Sequence, residues 1–132
     1  MTICVIGFVP NIYESNAVDR NNYIKNLVEI AKTNRKQPFT FFWLQAGDQI
    51  DLERNLGLGF GFPAVVAVSP AKSLYATMRS AFSNENVNTF LTKVITGSSP
   101  TDPLPKGGFT VKKVSKWDGK DAAPIIEENY DL

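Results

Sequence analysis

Few side chains in this sequence could do covalent chemistry. Its 132 residues include one Cys, Cys4, and no His. The lack of His removes the commonest general base, the commonest zinc ligand and both His-containing nucleophile triads. A single Cys can form neither an internal disulfide nor a C-x-x-C dithiol. Catalysis would fall to carboxylates, Lys, Tyr or the lone thiol. Cys4 reads as either a monothiol redox centre or a small buried hydrophobe in a central strand. Its neighbours Ile3 and Val5 supply no cation or helix N-terminus to stabilise a thiolate, which favours the buried hydrophobe.

Three further groupings carry polar or conformational signals. Asp48, Asp51 and Glu53 could form a carboxylate cluster, but their spacing at a helix start suits caps and dipole partners better, and no EF-hand spacing is present. Gly57-Leu58-Gly59-Phe60-Gly61-Phe62-Pro63 invites a phosphate-loop reading. Such a loop must follow a strand and open a helix, whereas these glycines follow a helix and lead into a strand. They read instead as backbone freedom for a tight loop before Pro63. The third grouping lies near the C-terminus. Lys106 to Lys120 holds five Lys, and Asp121, Glu127, Glu128 and Asp131 follow with no base among them. That pattern reads as a solvated tail, with carboxylates too spread for more than a weak, unstructured cation site.

The elements that must position these residues follow from periodicity. Ile3 to Phe8 is apolar on both faces, as in a central strand. Asn16 to about Lys36 turns helical, with Ile24, Leu27, Val28 and Ala31 as the apolar stripe, Asn16 as N-cap and Gln37-Pro38 as the stop. Phe39 to Leu44 is a second, aromatic-rich strand. Asp48 is expected to cap a short helix to Leu56, with Gly57 beyond its end. Pro63 opens a third strand over Ala64 to Val68, and Ser69 to Lys72 form a turn. Ser73 to Arg79 alternates like a strand with one wet face. Asn84 to Thr96 is a helix capped by Ser83 and stopped by Gly97. The order is β-α-β-α-β-β-α. The first two strands should be parallel through a right-handed crossover and the last two should form a hairpin. Helices on both faces of this mixed sheet give a three-layer α/β/α sandwich.

Length and composition agree with one α/β domain. The chain is 43% hydrophobic and 20% charged, which is globular rather than disordered. A net charge of +1 supplies no general field for nucleic acid. Residues 1–96 read as the domain. Residues 97–132, with four of the eight Pro, read as an extension with a Lys-rich stretch and an acidic end. Neither a signal peptide nor a membrane span is expected, and for a chain that opens this abruptly a cut fragment is one expectation.

The β-α-β-α-β-β-α order with Pro opening the third strand resembles the thioredoxin fold. Phe62-Pro63 stands where that fold has a cis-Pro. The family's C-x-x-C would follow Ile3–Phe8, and here the sequence reads V-P-N-I-Y-E-S-N-A. Three stretches narrow the resemblance: R-N-N-Y-I-K-N-L, L-G-L-G-F-G-F-P-A and K-W-D-G-K-D before an acidic tail. Together they are similar to the C-terminal noncatalytic domain of protein disulfide isomerases with domain order a–a′–b. Two departures stand out. The fold's first β-α unit is missing, and the chain ends N-Y-D-L rather than in a K-D-E-L type retrieval signal.

The resemblance implies a redox-inactive, noncatalytic domain of an endoplasmic-reticulum isomerase, with no cofactor. It implies contact with unfolded or partly folded polypeptide, or a lumenal chaperone, and not with nucleic acid or membrane. Phe60, Phe62 and Pro63 would meet polypeptide beside the vacant active-site loop containing Val9, Ile12 and Tyr13. Both Phe rings could instead pack in the core; Phe60, flanked by glycines, is the more exposed candidate. Weak calcium binding is implied at Glu127, Glu128 and Asp131. Lacking the first β-α unit, Phe39–Leu44 would be an apolar free edge. The extension, whose Phe109 to Val114 alternates like a strand, or a second copy of the chain, would cover it. The alternatives are a monothiol enzyme using Cys4 and a structural spacer.

Overall fold

Seven consecutive residues with apolar side chains on both faces form β1 (Ile3–Val9), in which Val5 and Ile6 are both fully buried. Only a strand covered on two sides hides residues of both parities. The structure, a computed structural model, describes residues 2–123. Its further elements are α1 (Ala17–Thr33), β2 (Phe39–Gln45), α2 (Ile50–Asn55), β3 (Ala64–Ser69), β4 (Leu74–Thr77), α3 (Asn84–Thr96) and β5 (Asp102–Pro103). The sheet order is β2-β1-β3-β4-β5. β1 and β2 run parallel, and the other neighbours are antiparallel. The expected β-α-β-α-β-β-α order, the parallel β1–β2 pair and the β3–β4 hairpin are all present.

Two apolar layers flank the sheet. On one face Val5, Val65, Ala67, Ala76 and Met78 meet Ile30 of α1 and Val87, Phe90 and Leu91 of α3. On the other, Ile6, Phe8, Val66 and Val68 meet Leu52 and Leu56 of α2. Each fully buried aliphatic or aromatic side chain stabilises by about 1.5–3 kcal/mol. The fold is thus the α/β three-layer sandwich expected from sequence.

Several local expectations are corrected. The buried stripe of α1 is Arg20, Leu27 and Ile30, while Val28 is exposed. Ile24, Val28 and Ala31 face a groove beside β2 instead of the core. The helix ends at Thr33 rather than Lys36, because the Asn34 side chain donates to Ile30 O at 2.8 Å and to Asn88 Oδ1 of α3 at 2.8 Å. Asp48 does not cap α2. Gln49 holds that place without a side-chain cap bond, and the Asp48 carboxylate accepts from Gln45 Nε2 at 3.1 Å. Asp51 is exposed and pairs with Arg54 and Lys112, each at 3.8 Å. Asn16, Ser83 and left-handed Gly97 act as foreseen.

The extension takes a different course from the one its alternation suggested. Phe109 to Val114 is not a strand. Asp102–Pro103 pairs with β4, at the opposite side of the sheet from β2. Leu104 and Phe109 then pack against the α2 layer. Buried Gln49 holds the extension by two bonds to Lys112, Nε2 to O and N to Oε1, both 2.7 Å. Among the described residues no strand pairs with the outer edge of β2.

Candidate functional site

The loop after β1 is fastened by side-chain amides. Asn11 Oδ1 accepts from Tyr13 N at 3.0 Å and its Nδ2 donates to Ala46 O at 3.0 Å. Gln45, at the end of β2, is the hub. Its Oε1 accepts from Ile12 N at 3.0 Å and from Arg20 Nη2 at 2.7 Å. Arg20 Nη2 also donates to Pro10 O at 2.7 Å. Arg20 is 2% exposed. Burial lowers its pKa from the ordinary guanidinium value, and the Asp48 carboxylate opposes that shift.

Two indole rings enclose this arginine. Its guanidinium carbon lies 5.4 Å from the Trp43 centroid and 5.0 Å from that of Trp117. The rings are edge to face, 6.3 Å apart. Trp117 is fixed in turn by a 3.0 Å bond from Nε1 to Lys120 O. Cation–π contact and edge-to-face packing are both attractive, and together they tie the extension to α1 and β2.

The same latch reaches the start of α1. The Asp121 carboxylate accepts from Ala17 N, and Asn16 Oδ1 accepts from Asp19 N at 2.8 Å. A helix N-terminus can stabilise a thiolate through these free amides and the dipole. Here a carboxylate and an amide already take that role, and no thiol stands nearby. Cys4 lies on β1, packed against the α2 layer, and burial pushes its thiol pKa up. Among the described residues no thiol stands at the start of α1.

The second loop approaches from β3. The Phe62-Pro63 peptide bond is cis, and Gly61 has φ +115, a conformation suited to glycine. Phe8 stands opposite Ala64 in the β1–β3 register, so continuing it puts Pro63 across from Val9. The two loops thus meet at one end of the sheet. Phe62 packs toward Phe8, with ring centroids 6.3 Å apart. Phe60 is 51% exposed with Arg79 5.2 Å from its ring, and Tyr13 is 66% exposed.

The expected contact set is therefore divided. Phe60 and Tyr13 are available to a ligand, Ile12, Phe62 and Pro63 are half-buried, and Val9 is buried at 2%. Val9 belongs to the core, because the whole second half of β1 is covered on both faces. Arg20, Trp43, Gln45 and Trp117 were not foreseen. The only hint was that Arg20 and Leu27, seven apart, share a helix face. Glu127, Glu128 and Asp131, the weak calcium candidates, lie outside the described residues. Among the described residues no group of three acidic or thiol side chains converges on a metal position.

Comparison with known proteins agrees with this architecture. Residues 1–99 match the family described as PDIA6-like, C-terminal thioredoxin-like domain. The chain belongs to this family. Protein disulfide isomerase-like 2-3 of Oryza sativa is 38% identical over 131 residues, covering 98% of this chain and 30% of the relative. Human protein disulfide-isomerase A6 is 34% identical over 132 residues, with the same coverages. The chain thus spans about 30% of the length of the curated relatives it matches. Among solved structures, the bb fragment of ERp72 matches with a TM-score of 0.61 at 15% identity, covering 74% of this chain and 43% of that one. That likeness concerns the fold. In this PDIA6-like domain, residues 97–123 carry the K-W-D-G-K-D latch described above. Among the described residues no helix is long and apolar enough to cross a membrane.

Proposed function

We propose that this chain is a noncatalytic domain of an endoplasmic-reticulum protein disulfide isomerase that binds or positions unfolded polypeptide, or a chaperone, for catalytic domains of the parent. The observation that carries this reading is the pairing of two loops. One has its helix N-terminus satisfied by Asn16 and Asp121 and has no thiol. The other presents exposed Phe60 beside cis-Pro63. An exposed aromatic on a glycine-flanked loop offers a large apolar contact to an extended chain. The resemblance of the chain to protein disulfide isomerases supports the compartment and the parent's activity.

The test is an NMR titration of the 132-residue chain with an unfolded peptide. Shifts clustered at Tyr13 and Phe60–Pro63 are expected, and Phe60→Ala should weaken them without unfolding the chain. No shift at about millimolar peptide, where even weak binders saturate, would leave only a spacer role. Insulin reduction above the uncatalysed rate would refute the noncatalytic assignment. The proposal includes self-association of two copies through the β2 edge Phe39–Leu44. Its check is sedimentation, with a dimer dispersed by Phe41→Lys; a monomer at all concentrations would remove this part.

A further inference from the structure

We propose that the cleft beside Phe60 is an anion subsite, and that it directs the polypeptide-binding face toward segments in which acidic residues flank an apolar one. The inference rests on the reading that Phe60 contacts polypeptide. Arg79, two residues past β4, is exposed and stacks over the Phe60 ring. It also lines a cleft of ≈ 390 Å³ between the end of β4 and α3. Asn86, Thr89 and Lys93 border that cleft, spaced three and four apart and so on one face of α3. Buried Met78 and Phe90 contribute its apolar part.

Charge is one-sided here. The cleft holds Arg79 and Lys93 and no carboxylate. Among the described residues the ion pairs are Arg54–Asp51 and Lys112–Asp51, and neither cleft cation has an acidic partner. The whole chain carries only +1, so this is a local feature and not a general field. A guanidinium can stack by its face while its N–H edge stays free for a carboxylate, which Lys cannot reproduce. Phe60 thus holds Arg79 ready at low entropic cost. An apolar side chain on Phe60 and a carboxylate a residue or two away would use both features at once.

The test compares two labelled twelve-residue peptides that differ only in two positions flanking a central Phe, Glu in one and Gln in the other. Binding to the 132-residue chain is read by fluorescence anisotropy. The Glu peptide is expected to bind about five-fold more tightly at low ionic strength, as two exposed ion pairs allow. The preference should collapse at about 0.5 M salt. In the Arg79→Gln, Lys93→Gln double variant, with an unchanged circular dichroism spectrum, the affinity ratio should fall to one. Equal affinities for the native chain would overturn the subsite while leaving polypeptide binding at Phe60 standing. Binding of neither peptide would overturn both. A Glu preference that survives the double variant would also overturn it, because the anion would then sit elsewhere.

Discussion

Replacing Trp117 by Ala tests whether residues beyond Gly97 belong to the folded unit. The substitution removes one of the two rings around Arg20, the edge-to-face contact with Trp43 and the anchor that holds Asp121 against Ala17 N. An aromatic pair is worth about 0.5–1.5 kcal/mol and a cation–π contact about 0.5–2 kcal/mol. Loss of the hydrogen bond from Ala17 N to Asp121 adds about 0.5–1 kcal/mol. Renewed access of water to the guanidinium offsets part of this, since Arg20 Nε has no hydrogen-bond partner in its buried position. The net expectation is a loss of about 2 kcal/mol. With a urea slope of about 1.5 kcal/mol per molar, the midpoint should fall by about 1.3 M. Unfolding should be followed by far-ultraviolet circular dichroism, because the mutation removes one of two Trp reporters. A midpoint shift below about 0.3 M, on the same slope, would mean that the latch is ornamental and that the Arg20 pocket is stable without it.

Two other substitutions probe the sheet. A Cβ on Gly7 would lie 2.6 Å from Leu27 Cδ1, so Gly7→Ala should cost about 1–2 kcal/mol by overpacking, and Leu27→Ala in the same chain should cost less than the sum of the two single changes; strict additivity in urea melts would contradict the close approach. Cys4 should react slowly with a disulfide reagent at neutral pH and rapidly only on unfolding. Because its folded pKa is raised, the neutral thiol's contribution to stability is complete below the unfolded pKa. That contribution should decline as pH rises above about 9, through the folded value. Cys4→Val should abolish this part of the alkaline slope, and a slope unchanged by Cys4→Val would show that Cys4 does not cause it.

Elements whose signals are local were legible in the sequence. Asn16, Ser83 and Gly97 mark helix ends by their own side-chain or backbone chemistry, and the two-faced apolar run at Ile3–Val9 announces a central strand. The cis-Pro loop was legible only through resemblance. Signals that depend on distant partners misled. Phe109 to Val114 alternates like a strand, yet Val111 and Val114 are exposed and the pairing is made by Asp102–Pro103, two residues with no strand signature. Proline is tolerated there because β5 is an edge. Asp48 looked like a cap because its type fits, but Gln45 competes for its carboxylate across the turn. Arg20 on a helix reads as a solvated charge. Its burial needs Trp43, Gln45 and Trp117, which no window of helical length contains. The site divides in the same way: Phe60's exposure followed from flanking glycines, whereas Val9's burial followed from β1 lying inside the sheet.

The hydrogen bond between Ala17 and Asp121 spans 104 residues. During synthesis, chain growth alone sets when it can form. The residues of the sheet through β4 and of all three helices are translated before Trp117. Until then Arg20 has one ring and not two, and the first turn of α1 is capped by Asn16 alone. Contacts of such long sequence separation carry the largest loop-closure entropy, and so they form late. Completion of the latch therefore waits on translation of residues 117–121. A nascent chain paused before Trp117 would present α1 capped by Asn16 but with Ala17 N lacking its carboxylate partner, a state that the finished protein does not retain.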